Sequence, residues 1–100
     1  MFTYKKHIAT GRYRSFESER HDIKLKKKVV GHIYENGHFD KWQGFKVHLA
    51  VKKEPTKEQP APFKWVVVKQ IFVSADEAKA WLAQNYERVI KELDLHQFED

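Results

Sequence analysis

The hydrophobic pattern of the chain changes its period at Ser74, and this change constrains the fold more than any other feature. Before Ser74, apolar residues alternate with polar ones, as in strands with one buried face; after it they recur every three to four residues, as in an amphipathic helix. Ser74 and Glu77 have the spacing of a capping box, in which each side chain satisfies a backbone N–H at a helix start. The sequence therefore predicts an α+β fold, in which an antiparallel sheet is packed on one face by a long C-terminal helix.

The predicted helix spans about residues 75–95, and an apolar stripe marks the side that should face the sheet. The stripe consists of residues at three- and four-residue intervals: Ala78, Trp81, Leu82, Tyr86, Val89, Ile90 and Leu93. We expect this stripe to lie across the sheet and to form the core.

Three segments carry strand patterns. In residues 23–34, and from about Trp42 or Gly44 to Lys52, apolar residues alternate with Lys or His. Residues 63–73 are apolar at nearly every position, which predicts a strand with neighbours on both sides. The pair Asn36-Gly37 predicts a hairpin turn, and the three prolines within residues 53–62 predict an exposed loop between the second and third strands.

The length of the chain limits it to one domain with a single core. Its 100 residues include 41% hydrophobic ones, and we assign residues 23–100 to this domain. Residues 1–22 mix aromatic and basic side chains without a sustained period, and they predict either an N-terminal arm, ordered or mobile, or a fourth strand.

The composition also bears on the cellular compartment. The chain has no cysteine, so disulfides and cysteine-ligated zinc are excluded. It has no apolar run of roughly 18 residues, and its N-terminus lacks the apolar stretch of a signal peptide. We expect a cytoplasmic protein without a membrane partner.

The charges are unevenly distributed along the chain. Residues 1–69 hold 16 Lys or Arg against 7 Asp or Glu, whereas residues 70–100 hold 3 against 7. Antiparallel pairing of the first two strands would gather their polar side chains on one basic face. The residues predicted for this face are Lys24, Lys26, Lys28, His32, Tyr34, Trp42, Lys46, His48 and Lys52.

A basic face that carries aromatic residues predicts nucleic-acid binding. Lysines would meet phosphates, and Tyr34 or Trp42 would contact a base or sugar, with a strand ribbon in the major groove and DNA favoured over RNA. The alternative is a solvated face whose lysines serve only solubility and protection from edge pairing.

The sequence offers little support for catalysis or metal binding. His32, His38 and His48 could converge with Asp40, but no two histidines are closer than six residues apart, unlike the ligand pairs of zinc sites. The dipeptide His21-Asp22 lacks the further ligands of metal-dependent phosphohydrolases. We expect no enzymatic activity, no metal and no cofactor.

A resemblance to a known family rests on the order strand, strand, strand, helix. The segments in this order are Gly31-His32-Ile33-Tyr34, then Trp42 and Phe45-Lys46-Val47, then Phe72-Val73-Ser74 through Glu77-Ala78 to Trp81-Leu82. Over about residues 29–85, the chain resembles the AP2-like and arm-binding N-terminal domains of phage-type integrases. The resemblance implies DNA binding through the exposed face of a three-stranded sheet. It carries that role onto Lys28, His32, Lys46 and His48.

A different class of function is also compatible with the sequence. A strand edge or the aromatic residues Phe39, Trp42 and Phe98 could bind a partner protein or a second copy, which would make the chain an interaction module. A module of this kind could form a homodimer.

Overall fold

The protein is a small α+β structure with a five-stranded antiparallel sheet and two helices. This computed structural model describes residues 1–10, 17–38 and 41–98. Each strand pairs with the next along the chain, so the sheet order is β1-β2-β3-β4-β5. The elements are β1 (Thr3–Thr10), β2 (Glu17–Leu25), β3 (Lys28–His38), β4 (Lys41–Lys52), β5 (Phe63–Val67), α1 (Ala75–Gln84) and α2 (Tyr86–Glu92).

The sheet has more strands than the three or four that the sequence predicts. Residues 23–34, predicted as one strand, comprise the end of β2, a two-residue turn and the start of β3. The turn residues Lys26 and Lys27 have φ angles of 52° and 70°, which are usual for Gly or Asn in a tight hairpin. Because two lysines occupy this turn, the sequence carries no turn signal there.

The connections of the hairpins differ in how well the sequence marks them. Residues 53–62 form the exposed connection between β4 and β5, as predicted. The Asn36-Gly37 pair was predicted as a turn but lies inside β3, where the pairing register shifts between Glu35 and Gly37. A shift of the pairing register within the strand, and not a turn, occupies this position.

The prediction of a buried strand over residues 63–73 is wrong. Only the first five of these residues form β5, which is an edge strand. Trp65 and Val67 are 42% and 45% exposed, and Val73 is 70% exposed. The apolar run therefore reflects an exposed sheet edge and not a strand covered on both faces.

The chain returns to β4 at Phe72 after leaving the ladder. Phe72 is buried and exchanges two backbone hydrogen bonds with Phe45, of 2.8 and 2.9 Å. Gly44, at φ 84°, makes this approach possible, because a Cβ there would lie 2.6 Å from Cγ2 of Ile71 and 2.7 Å from the carbonyl oxygen of Phe72.

The cap at Ser74 is confirmed, but the single long helix is not. The hydroxyl of Ser74 accepts a hydrogen bond of 3.1 Å from the backbone N–H of Glu77. The helix divides at Asn85, whose side-chain amide donates to the carbonyl of Trp81 over 2.8 Å and so competes with regular helix bonding. No helix within the described residues is long and apolar enough to cross a membrane.

The core lies between one face of the sheet and the two helices. The buried stripe residues Ala78, Leu82 and Val89 pack in one cluster with residues from the sheet, whereas Ile90 is 38% exposed and lies outside it. The largest fully buried side chains of the sheet are Ile23, Val30, Ile33, Val47 and Leu49.

After α2, the chain reaches back to the sheet. The N–H of His96 donates to the carbonyl of Ala50 over 2.8 Å, and that of Phe98 to the carbonyl of Val29 over 2.9 Å. These bonds bring the rings of His96 and Phe98 beside Phe63 of β5, with centroids 4.9 and 4.8 Å away.

Candidate nucleic-acid interface on the open face of the sheet

The pairing register separates the side chains of the sheet into two faces. Residues directly opposite each other on neighbouring strands share a face, and successive residues of a strand alternate. Ile33 lies opposite Val47 on the core side, so the neighbours of these residues point away from the helices, onto what we call the open face. The polar and aromatic residues on the described part of the open face are Thr3, Lys5, His7, Arg20, Asp22, Lys24, His32, Tyr34, Lys46, His48, Lys52, Phe63 and Trp65.

The open face includes most of the residues predicted for the basic face. These are Lys24, His32, Tyr34, Lys46, His48 and Lys52. Lys26 instead lies in the β2–β3 turn, and Lys28 pairs with Leu25, whose side chain packs against the core. Trp42 belongs to β4, but its side chain lies outside the described part of the structure.

Asp22 is the centre of a hydrogen-bond network that joins β1, β2 and β3. Its two carboxylate oxygens lie 2.7 Å from Nε2 of His7 and 3.1 Å from Nδ1 of His32. Nε of Arg20 is 3.6 Å away. Burial opposes ionisation of Asp22, but the bonds to His7 and His32 and the nearby positive charges outweigh it, so the pKa of Asp22 is lowered.

A second polar contact joins Tyr34 to His48 across β3 and β4. The hydroxyl oxygen of Tyr34 lies 2.7 Å from Nε2 of His48. Burial, then the charges of His32 and Lys46, lowers the pKa of His48, and burial raises the pKa of Tyr34. At neutral pH the tyrosine thus keeps its proton, and its hydroxyl can donate a hydrogen bond to the uncharged imidazole of His48.

Trp65 is the largest exposed aromatic residue among the described side chains of the open face. Its ring centroid lies 5.3 Å from that of His32 and 6.2 Å from that of His48. The ring of Phe98 is stacked with the indole at 5.8 Å and an interplanar angle of 24°. These neighbours fix the orientation of the indole while 42% of the residue stays exposed.

The charges of the open face are predominantly positive. Among its described strand residues, five Lys or Arg side chains accompany one carboxylate, that of Asp22. Lys52 also lies 3.6 Å from Asp94 of the C-terminal segment, but both side chains are more than half exposed, so this pair contributes little. The face therefore combines several cationic side chains with a partly exposed indole ring.

Sequence reasoning missed several residues of this face, among them His7, Arg20, Asp22 and Trp65. His7 belongs to β1, within residues 1–22, which the sequence predicts as either an arm or a fourth strand. Arg20 and Asp22 belong to the start of β2, which the sequence does not predict, although Arg20, Asp22 and Lys24 alternate with buried residues there. Trp65 was assigned to a buried strand because the apolar run around it conceals that β5 lies at the edge.

The histidines are used in contacts with neighbouring side chains. Within residues 1–10, 17–38 and 41–98, no group of three or more His, Asp or Glu is arranged to hold a metal ion. His32 bonds to Asp22 and His48 to Tyr34, whereas the side chain of His38 and all of Asp40 lie outside the described part.

No protein-family model matches the chain, and no curated protein or solved structure is significantly similar to it. The resemblance to the arm-binding domains of integrases therefore stays a prediction.

Proposed function

We propose that this protein is a non-catalytic nucleic-acid-binding domain and that its open face binds single-stranded nucleic acid. The observation that carries the proposal is the position of Trp65, a partly exposed ring that lies beside His32 on a sheet face that also carries five Lys or Arg side chains. Proteins that bind single strands combine these two features, because cations meet the phosphates while bases stack on aromatic rings.

The electrostatics of the open face support an anionic ligand. Arg20 and Lys46 flank Tyr34, one on each neighbouring strand, and Lys24 follows two residues after Asp22. The negative charge of Asp22 is partly offset by Arg20 and by its bonds to His7 and His32. A phosphate chain crossing the strands would meet several cations and one compensated carboxylate.

The width of the sheet favours a single strand over a duplex. Five strands spaced about 4.8 Å apart span about 19 Å between the outer strands, whereas the major groove of B-DNA is about 12 Å wide. The whole open face therefore cannot enter the groove in the way expected for a narrow ribbon. A flexible single strand can lie across it with unstacked bases against the sheet, as in other sheet platforms that bind single strands.

Stacking on Trp65 makes the proposed binding tolerant of sequence. Every base has a π face, so one indole ring can accept any of the four bases. His32 of β3 and Phe98 of the C-terminal segment contact the ring, which reduces the entropy lost when a base stacks on it.

Fluorescence anisotropy with a labelled oligothymidylate tests this proposal. An oligonucleotide of about 12 nucleotides suits the site size of a small domain. We expect binding at about 50 mM salt and at least tenfold weaker binding at about 200 mM, because bound phosphates release counterions. RNA and duplex DNA of the same sequence are the parallel arms; no binding to any of them at low salt would contradict the proposal.

A further inference from the structure

The two edges of the sheet differ in how they are protected from pairing. The β1 edge carries adjacent lysines, Lys5 and Lys6, which project to opposite faces. Such charges discourage another strand from docking. The β5 edge carries only Lys64 among apolar residues, and within the described part of the chain β5 pairs with β4 alone.

The hydrogen-bond pattern of β5 determines which of its peptide groups face outward. In an antiparallel ladder, residues bond to the neighbouring strand in alternation. Val68 donates to Val47, and Lys53 donates to Pro62, so the alternation directs Lys64 and Val66 toward β4. The N–H and C=O groups of the other three residues, Phe63, Trp65 and Val67, therefore point away from the sheet.

We propose that the β5 edge is a homodimer interface, at which β5 pairs antiparallel with β5 of a second copy. The two-fold axis passes beside Trp65, so that Phe63 of each copy lies opposite Val67 of the other and the two Trp65 residues face each other. The outward peptide groups of the three residues then form a closed set of six hydrogen bonds. The pairing joins two five-stranded sheets into one.

The composition of β5 favours pairing with β5 of a second copy over pairing with the β1 edge. In the self-paired register, Lys64 lies opposite Val66, so no two like charges are directly opposed. Pairing of β5 with β1 would instead bring it beside Lys5 and Lys6. Such head-to-tail contacts leave a β5 edge unpaired unless they close into a ring, whereas the two-fold contact pairs the β5 edges of both copies at once.

The helices leave room for this contact. α1 packs on β3 and β4, on the face opposite the open face, and among the described residues none before Ala75 is helical. A two-fold axis perpendicular to the sheet keeps both open faces on the same side. The dimer would therefore present one continuous open face, with its two exposed indole rings at the centre.

Sedimentation equilibrium of the full chain over a range of concentrations tests the proposal. We expect the mass to rise from 12.0 kDa toward twice that value as concentration increases. Val67→Pro should raise the dimer Kd at least about thirtyfold, because it removes two outward N–H donors per dimer and leaves the bonds to β4 intact. Val67→Thr, which keeps the N–H, is the matched control and should retain the dimer.

A second pair of variants keeps the test decisive if proline perturbs folding. Val67→Lys adds a charge at the edge and should also favour the monomer, whereas Val73→Lys adds the same charge at an exposed valine outside β5 and should not. A chain that stays monomeric up to about 1 mM, or a dimer that withstands both Val67→Pro and Val67→Lys, would overturn the proposal. Binding of the oligonucleotide by a monomer would leave the proposed function intact.

Discussion

The indole ring of Trp65 lies 5.3 Å from the imidazole ring of His32, although β4 separates their strands. The contact crosses above β4, beside His48, and it joins the edge of the sheet to its centre. An aromatic surface thus extends from the exposed edge toward the network around Asp22.

Replacing Trp65 should therefore affect binding more than folding. Trp65→Ala removes the proposed stacking surface and should weaken oligonucleotide binding by about 1 to 3 kcal/mol, or about 5- to 150-fold. Trp65→Phe retains a ring and should recover part of the affinity. Anisotropy titrations measure both, and equal affinity of the alanine variant and the wild type would remove Trp65 from the site.

The cations of the open face should determine the salt dependence of binding. Replacing Arg20, Lys24 and Lys46 by Gln should lower the slope of log affinity against log salt by about 2, since each phosphate contact with a single strand contributes about 0.7. The matched control is the triple replacement of Lys57, Lys69 and Lys91, which changes the net charge equally but lies off the open face. If both triple variants behave alike, net charge and not the open face governs binding.

Asp22→Asn should have opposite effects on stability and on binding. The interactions that lower the pKa of Asp22 stabilise the fold at pH values above the ordinary pKa of an aspartate, about 3.9. This stabilisation is lost as the pH falls through the pKa that Asp22 has in the folded protein. The variant should lose about 2 kcal/mol of unfolding free energy at pH 7, and the difference should vanish in strong acid.

The same substitution removes the carboxylate from the open face, so oligonucleotide affinity should rise. Glu58→Gln, in the exposed loop, is the control for the change in net charge. Urea denaturation at neutral and acid pH measures the first effect and anisotropy the second. A variant as stable as the wild type at pH 7 would show that the His7–Asp22–His32 network contributes little.

His48 should titrate below the ordinary histidine pKa of about 6.5. Because the unfolded chain takes up this proton at a higher pH than the folded one, the protein should lose stability as pH falls from 7 through that range. His48→Gln should remove part of this pH dependence. NMR titration of the imidazole gives the pKa directly, and an inflection at or above 6.5 would contradict the burial of His48 beside Tyr34.

Gly44→Ala should destabilise the fold substantially. The substitution places a Cβ 2.7 Å from the carbonyl oxygen of Phe72 and forces alanine into a left-handed φ of 84°. The backbone strain alone costs about 1 to 2 kcal/mol, and the displaced carbonyl adds to it. Thermal denaturation measures the loss; an unchanged melting temperature would show that the return of the chain at Phe72 is not constrained by Gly44.

Parts of this fold could be predicted from the sequence because local chemistry determines them. Ser74 begins the helix through its side-chain cap, and the prolines keep residues 53–62 out of the sheet. The β2–β3 hairpin could not be predicted, since Lys26 and Lys27 adopt positive φ angles without the usual Gly or Asn. Its conformation follows from strand pairing on both sides of the turn.

Part of the candidate site, too, could be predicted from the sequence, and the rest depends on how the strands pair. Period-two alternation places His32 and Tyr34, and likewise Lys46 and His48, on a common face, and this was visible in the sequence. The role of Asp22 depends on His7, fifteen residues away, and that contact exists only once β1 and β2 are paired. Whether an apolar strand such as β5 is central or at an edge is a property of topology, which residue type alone does not encode.

Mapping the binding surface by NMR is the most direct test of the open face. Unlabelled oligothymidylate is titrated into isotope-labelled protein, and chemical-shift changes are followed for the ring signals of His32, His48 and Trp65 and for residues of α1 and α2. We expect large changes at the three rings and at Arg20 and Lys46, with small changes along the helices. Changes confined to the helical side, or no changes at low salt, would contradict binding through the open face.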